Sequence, residues 1–233
     1  MYSDYYGLNA RPFQLTPDPR FYFDSATHRK AMAYLGYGLA QGEGFIAITG
    51  EIGSGKTTLV GHLMATIDRA RLTAVRLAGT EAEDGLLLAA ESLGLPTENR
   101  EKAHILGDIE RHLRTEAAQG RRTLLIVDDA HRLSATALEE LRALSRFQIE
   151  GQALAQLFLL GQPALQEMLR TEALEPLRER VLASYQLEPM QPEEIGPYIA
   201  HRLARAGWRE RPSFTPDAFA ALHRHSGGVP GAL

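Results

Sequence analysis

Residues 45–67, FIAITGEIGSGKTTLVGHLMATI, set a short apolar run, a glycine-rich turn and a helix-period segment one after another. The run Phe45–Thr49 is rich in β-branched residues and free of charge, the pattern of a parallel strand buried on both faces. Leu59, Leu63 and Ile67 recur at the spacing of one helix face. Between them, Gly50 is followed after four residues by Gly55, Lys56 and Thr57, the spacing of a phosphate-binding loop. A buried parallel strand needs crossover helices on both faces of its sheet, so this stretch commits the chain to an α/β fold.

Each residue type in the loop has a physical job. Glycines let backbone N–H groups close around phosphate oxygens, because no Cβ blocks the turn or the approach of the ligand. The helix N-terminus adds partial positive charge. Lys56 is expected to bridge the β- and γ-phosphates, and the Thr57 hydroxyl to ligate Mg²⁺. The candidate phosphate-binding set is Gly50, Glu51, Ile52, Gly53, Ser54, Gly55, Lys56, Thr57 and Thr58, the last opening the packed helix.

A chain of 233 residues holds one large domain, or one with a small appendage. Its net charge of -4 gives no general electrostatic reason to bind nucleic acid or an anionic membrane. The absence of cysteine excludes disulfides and thiolate metal sites and is consistent with a reducing cytoplasm. MYSDYYGL at the N-terminus has neither a basic nor an apolar signal region. No run approaches the ~18 apolar residues of a spanning helix. The expectation is a soluble cytoplasmic protein, not an integral membrane one.

Strand and helix signals alternate as far as residue 190. Arg71–Ala78 reads as a second strand, followed by a helix through EDGLLLAAESLG that stops near Gly94 and Pro96. Residues 101–119 form a longer amphipathic helix before the apolar strand of RRTLLIVDDAH. Ser134 is the expected N-cap of a helix reaching Gln148. Leu154–Pro163 and Leu182–Met190 supply a fourth and a fifth strand. From Gln191 onward only helices follow, in PEEIGPYIAHRLARAG and TPDAFAALHRHSGG, across a linker with Trp208 and Pro212. The reading is a five-stranded parallel sheet domain over 1–190, with an aromatic-rich segment over 1–44, and a partial helical lid over 191–233.

Hydrolysis of a bound nucleotide needs a carboxylate on the metal side and a group that positions water. LLIVDDA places Asp128 at the C-terminal end of an apolar strand, the edge where open α/β folds bind ligands. Asp128 is expected to hold the Mg²⁺ shell, and Asp129 to orient or deprotonate the water. Taken alone, two acids closing a strand read as a strand meeting solvent; the upstream loop favours the functional reading. Gln162, after the fourth strand, could hydrogen-bond the γ-phosphate or the water, or simply be a turn residue. Arg178 and Arg180 in PLRERV read as solvated surface in isolation. In an oligomer, an arginine here could reach a neighbour's γ-phosphate, an effect worth up to about 10⁵-fold in related enzymes.

His223 and His225 lack acidic or cysteine partners at ligand spacing, and His131 reads as a loop residue. Tyr2, Tyr5, Tyr6, Phe13, Phe21, Tyr22 and Phe23 crowd the first 23 positions. They are expected to pack this segment onto the sheet domain, some bordering an adenine; a partner-docking surface is the alternative.

YYGL, PFQLTPDPRFYF, HRKAMAYLGYGLAQGEGFIAITGEIGSGKTTL, LLIVDDAHRLS, LLGQP, LRERVLASYQLEPM and HSGGVP together resemble the AAA+ ATPases of the general secretion pathway protein A type. They most closely resemble the branch associated with exosortase and PEP-CTERM protein sorting in bacteria making exopolysaccharide. The resemblance implies a RecA-like AAA+ core with a helical lid, ATP and Mg²⁺ as cofactors, and assembly into a homo-oligomeric ring or filament. It makes Lys56 and Thr57 Walker A residues, Asp128 and Asp129 the Walker B pair, Gln162 the sensor 1 position and Arg180 the arginine finger. It also implies envelope secretion or sorting proteins as partners, reached from the cytoplasm at the inner membrane.

Two positions depart from the family pattern. The Walker B pair is generally Asp-Glu, whereas Asp129 is shorter by one carbon; misplacement on the ångström scale costs on the order of 10²-fold. After Gly-Gly-x-Pro the family continues with the sensor 2 arginine, and here Gly231 follows, implying either a shortened chain or a lid that works without that charge.

Three functions follow: an ATPase driving assembly or remodelling of a secretion, sorting or polysaccharide system; an ATP-gated switch with little turnover; and a DNA-binding AAA+ regulator of the transposition type. The net charge and the lack of a helix-turn-helix weigh against the third, while the arginines at 202, 205, 209 and 211 speak for it.

Overall fold

The computed structural model describes residues 5–14, 16–78, 84–209 and 213–233. Tyr2, Arg211, Pro212 and Glu83, the residue at which the second helix was expected to begin, lie outside the described residues. Five strands form one sheet: β1 (Phe45–Gly50), β2 (Leu72–Ala78), β3 (Arg122–Asp128), β4 (Ala155–Gly161) and β5 (Val181–Leu187), in the order β2-β3-β4-β1-β5. Among the described residues the longer helices are α1 (Ala26–Gln41), α2 (Lys56–Thr66), α3 (Gly85–Ser92), α4 (Lys102–Ala118), α5 (Ala135–Leu144), α6 (Ala164–Arg170), α7 (Pro192–Arg205) and α8 (Pro216–Ser226), with a single turn at Glu175–Arg178 between α6 and β5.

The burial of each strand follows its sequence. β1 and β4 are buried along their whole length and β3 from its second residue onward, as predominantly apolar runs require; the buried Gln156 of β4 is satisfied by donating to the Gly38 and Glu43 carbonyls. β2 is partly exposed and β5 alternates between half-buried and exposed, as befits the two edges. The parallel register aligns Ala47 with Leu159 and Leu159 with Val127, so β1, β4 and β3 end at the same edge of the sheet.

The chain divides into two compact units. One comprises Ala33–Thr49 and Thr66–Gln186, and its core joins the sheet to α3, α4 and α5. Ile105, Ile109 and Leu113, one face of α4, are fully buried there. α3 starts on Asp84, whose carboxylate accepts from the N–H groups of Leu86 and Leu87. A Cβ on Gly85 would lie 2.1 Å from the Ala137 carbonyl oxygen, so α3 crosses α5 at backbone contact. Ser134 caps α5 as expected, accepting from Ala137 N–H at 3.1 Å. That helix stops at Leu144, short of Gln148, because a small hairpin follows, pairing Gln148–Ile149 with Gln152–Ala153. Glu150 and Gly151 turn it with φ of 52° and 78°, the two positive values of a two-residue type I′ loop.

The other unit comprises Met1–Met32, Gly50–Ala65 and Leu187–Leu233. Its apolar centre is Met190, Ile195, Tyr198, Ile199 and Leu203, with Phe23, Trp208 and Phe219 packed against it. Glu194 joins two helix starts: one carboxylate oxygen accepts from Ala26 N–H at 2.8 Å and the other from Gln191 N–H at 3.1 Å. Several aromatics of the N-terminal segment pack within this unit. The Arg202 guanidinium lies 5.0 Å from the Phe21 ring, 5.6 Å from Tyr198 and 5.8 Å from Phe13, and it donates to the Pro12 carbonyl. Tyr22 stacks on His62 of α2 at 3.9 Å between ring centroids. Phe13, Phe21 and Phe23 thus meet a cation or an aromatic of α7, partners that local periodicity does not carry, while Tyr22 meets α2, inside the 1–190 region onto which packing was expected. Among the described residues, no helix is long and apolar enough to cross a membrane.

Candidate nucleotide site

The loop leaves β1 at Gly50 and enters α2 at Lys56. Gly53 and Gly55 have φ of +81° and +94°, which L side chains rarely adopt. A Cβ on Gly50 would come within 2.7 Å of Ser54 Oγ. Lys56 is buried, and its Nζ donates to the carbonyls of Gly50 at 2.7 Å and Glu51 at 2.9 Å. Ser54 is buried, Thr57 and Thr58 are half-buried on the first turn of α2, and Ile52 is exposed.

Most loop carbonyls have a hydrogen-bond partner. Besides those held by Lys56, Gly55 O accepts from Leu59 N–H at 2.9 Å, continuing into the helix. Gly53 O accepts from Gly231 N–H at 2.9 Å, on the turn that follows α8. His28 on α1 is 6% exposed, with Nδ1 2.7 Å from Ser25 Oγ. Its Nε2 stands where a Cβ on Gly55 would approach to 2.7 Å. Burial holds the His28 pKa below the ordinary histidine value. A backbone hydrogen bond with Ser54 acts in the opposite direction, as do the charges of Asp24 and Glu194. A bond that favours the protonated ring is one the ring donates, so the partner is the Ser54 carbonyl.

These residues fit a phosphate chain. The glycines leave room where side chains would intrude, a helix of 11 residues points its N-terminus at the loop, and a buried ammonium already neutralises loop oxygens.

In the sheet unit, Asp128, Asp129 and Gln162 come to the ends of the adjacent strands β3 and β4. Asp128 is buried; its Oδ2 lies 3.2 Å from Arg76 Nη2 and its Oδ1 accepts from Asp129 N–H at 3.1 Å. Asp129 is half-buried and left-handed at φ 54°, ψ 36°, a conformation that Asp and Asn tolerate better than other non-glycine residues. His131 Nδ1 accepts from Gln162 N–H at 3.3 Å, tying the end of β4 to the turn after β3. Gln166 of α6 donates to Thr49 Oγ1 at 3.1 Å, just before the loop.

Arg180 lies elsewhere. Its carbonyl accepts from Phe45 N–H at 2.9 Å, which puts it at the N-terminal end of the strands, opposite Asp128. Its guanidinium donates to Ser145 Oγ at 2.7 Å. Arg178 pairs with Glu175 at 3.2 Å and donates to Arg170 O at 3.1 Å. His223 and His225 occupy the last turn of α8, and no group of three or more potential metal ligands is gathered among the described residues.

Sequence reasoning missed His28, Arg76, Gln166 and the loop contact of Gly231. His28 sits in HRK, which reads locally as a polar helix start, and Arg76 reads as one charge interrupting a strand. Only the tertiary arrangement reveals their partners.

The AAA domain family matches residues 39–169. General secretion pathway protein A of Aeromonas hydrophila is 38% identical over 232 residues, covering 99% of this chain and 42% of that relative. The chain thus spans about two-fifths of that relative's length. Among solved structures, the Aeropyrum pernix ORC1 protein in complex with DNA superposes with a TM-score of 0.68 at 17% identity, over 95% of this chain and 61% of that one. The ORC2 protein of the same organism, in ADPNP-ADP complexes, gives 0.63 at 16% identity over 93% and 63%. A RuvB variant from Thermotoga maritima gives 0.55 at 19% identity over 94% and 63%. At these identities the structures establish the fold alone, a RecA-like AAA+ core, whereas the family match extends over more than half of the sequence. The chain belongs to the AAA domain family.

Proposed function

We propose that the chain binds ATP in the loop from Gly50 to Thr58 and hydrolyses it, using the nucleotide state to assemble or remodel a bacterial secretion, protein-sorting or exopolysaccharide system. The observation that carries the reading is the loop itself: buried Lys56 held on the Gly50 and Glu51 carbonyls, with Gly53 and Gly55 turned at positive φ ahead of α2. Similarity to general secretion pathway protein A supports the secretion setting, with envelope proteins as partners at the inner membrane. The exosortase and PEP-CTERM branch is the finer reading, supported by the motifs of the sequence.

In this reading Lys56 leaves the loop carbonyls for the β- and γ-phosphates. The Thr57 hydroxyl and the Asp128 carboxylate, both hard oxygen donors, hold Mg²⁺, which when bound neutralises phosphate charge. Asp129 orients or deprotonates the attacking water, and Gln162 hydrogen-bonds the γ-phosphate or that water. Arg180, at the far end of the strands from Asp128, serves the site of a neighbouring copy, so catalysis requires a ring or filament.

The test is methylanthraniloyl-ATP binding and phosphate release per protomer at rising protein concentration, with Lys56→Ala as control. Binding that Lys56→Ala abolishes, with turnover per protomer rising with concentration, is the expected outcome. Binding without turnover at any concentration would replace the ATPase by a nucleotide-gated switch. No binding would end both readings.

A further inference from the structure

Two peptide groups of the phosphate loop face residues from outside it. Gly53 O takes its hydrogen bond from Gly231 N–H, and the His28 ring, which interacts with the Ser54 backbone, lies with Nε2 where a Cβ on Gly55 would approach to 2.7 Å. In a trans peptide the carbonyl and the following N–H point in opposite directions, so a donor on the carbonyl also fixes where that N–H aims. A loop that binds phosphate through its amides therefore depends on what holds its carbonyls.

We infer that His28 is a positioning residue of the phosphate loop: its Nε2–H holds the Ser54 carbonyl and, together with Gly231 N–H on the Gly53 carbonyl, fixes the two central peptide planes for a phosphate chain. The inference rests on the proposed nucleotide-binding reading and adds to it the groups that shape the loop. The ring is itself fixed. Ser25 Oγ lies 2.7 Å from Nδ1 and accepts from His28 N–H at 3.3 Å; in the inferred tautomer Ser25 O–H donates to Nδ1 and Nε2 is the protonated nitrogen of the neutral ring. The space is closed as well, since Gly55 has no room for a Cβ beside Nε2.

Gly231 plays the matching part from the lid. A Cβ there would lie 2.7 Å from Gly53 Cα and 3.2 Å from Gly53 O, so this approach admits only glycine. Tyr198 O–H donates to the Pro230 carbonyl at 3.3 Å, anchoring the same turn to α7. The residue that departs from the sensor 2 pattern thus has a steric reason for being glycine: it makes a backbone contact with the loop where an arginine would collide.

The test compares His28→Gln with His28→Met. Glutamine carries an amide N–H near the position of Nε2; methionine has similar length and no donor. Affinity is measured for methylanthraniloyl-ATP and for adenosine, with Lys56→Ala alongside. The expected result is that His28→Met weakens the ATP analogue about tenfold, His28→Gln restores it to within about threefold, and adenosine affinity is unchanged in both. Equal affinity for the ATP analogue in His28→Met and the unsubstituted protein, or equal loss in His28→Met and His28→Gln, would overturn the inference. Binding that Lys56→Ala leaves intact would instead overturn the nucleotide reading. Long-range proton–nitrogen correlation spectra of the unsubstituted protein give an independent arm: an Nε2–H tautomer for His28 is expected, and an Nδ1–H tautomer would overturn the inference even if neither variant folds.

Discussion

Arg76 on β2 and Asp128 on β3 form an ion pair of 3.2 Å at the C-terminal edge of the sheet, the guanidinium 45% exposed and the carboxylate 4%. Such unequal exposure makes the pair matter more to Asp128 than to Arg76. A carboxylate withdrawn from water needs its partners, whereas the arginine keeps water on one side. Arg76→Met should lower stability by about 1 kcal/mol, less than for a fully buried pair because solvent screens the cation. The double variant with Asp128→Asn should lose less than the sum of the single losses. Urea denaturation of the four proteins checks this, and strict additivity would show that the pair is not coupled.

Asp129 combines a backbone constraint with a proposed chemical role, and two substitutions separate them. Asn shares the tolerance of Asp for the left-handed region, so Asp129→Asn should keep stability within about 0.5 kcal/mol while reducing phosphate release on the order of 10²-fold. Glu reaches further but is less at ease at φ 54°, so Asp129→Glu should cost about 0.5–1 kcal/mol and raise turnover. Thermal unfolding and phosphate release on the same preparations measure both sides. Turnover that falls in Asp129→Glu would show that this chain's site is shaped around the shorter acid.

The parts legible in the sequence are those whose signal is local. Phe45–Gly50 and Leu124–Asp128 announce buried parallel strands because no charge falls within them before their last residue, and the spacing from Gly50 to Thr57 needs no tertiary knowledge. Ser134 is recognisable as a cap because capping acts within one turn. The order of the strands is not written locally, nor is the hairpin at Gln148, where Glu150 takes the left-handed conformation usually left to Asn or Gly. His28, Arg76 and Gln166 were invisible for the same reason. Their partners are Ser54, Asp128 and Thr49, far away in sequence, and no periodicity encodes a contact between distant segments.

Arg180 is held in its own chain by Ser145, whose Oγ accepts from its guanidinium at 2.7 Å. An arginine that serves a neighbour must give up this bond or share it. Ser145→Ala should therefore leave turnover unchanged or raise it. Arg180→Ala should reduce turnover at high protein concentration toward the rate seen at low concentration, with nucleotide affinity preserved. Phosphate release across a dilution series distinguishes the two. Equal loss in Arg180→Ala at every concentration would point to a role within its own subunit.

Glu116, near the end of α4, accepts from Arg121 at 2.7 Å and 2.8 Å and from the Thr73 hydroxyl on β2. The Arg121 hydrogen bonds, more than the Thr73 bond, hold its carboxyl at about 2 against an ordinary 4.5, with burial opposing them. A folded-state value below the unfolded one means that the charged form is favoured by folding. The stabilisation is complete above about pH 4.5 and is lost as pH falls from there through about 2. Solvent around Arg121 screens the pair, so the contribution at neutral pH should be about 1–2 kcal/mol. Asp18, Asp84 and Asp108 also have lowered values, so the pH dependence of the unsubstituted protein alone cannot isolate Glu116. The informative quantity is the difference from Glu116→Gln, which keeps the shape and removes the titration. Urea denaturation should show the unsubstituted protein more stable by about 1–2 kcal/mol at pH 7, with the gap closing toward pH 2. A gap independent of pH would assign the loss to packing of the side chain, not to its charge.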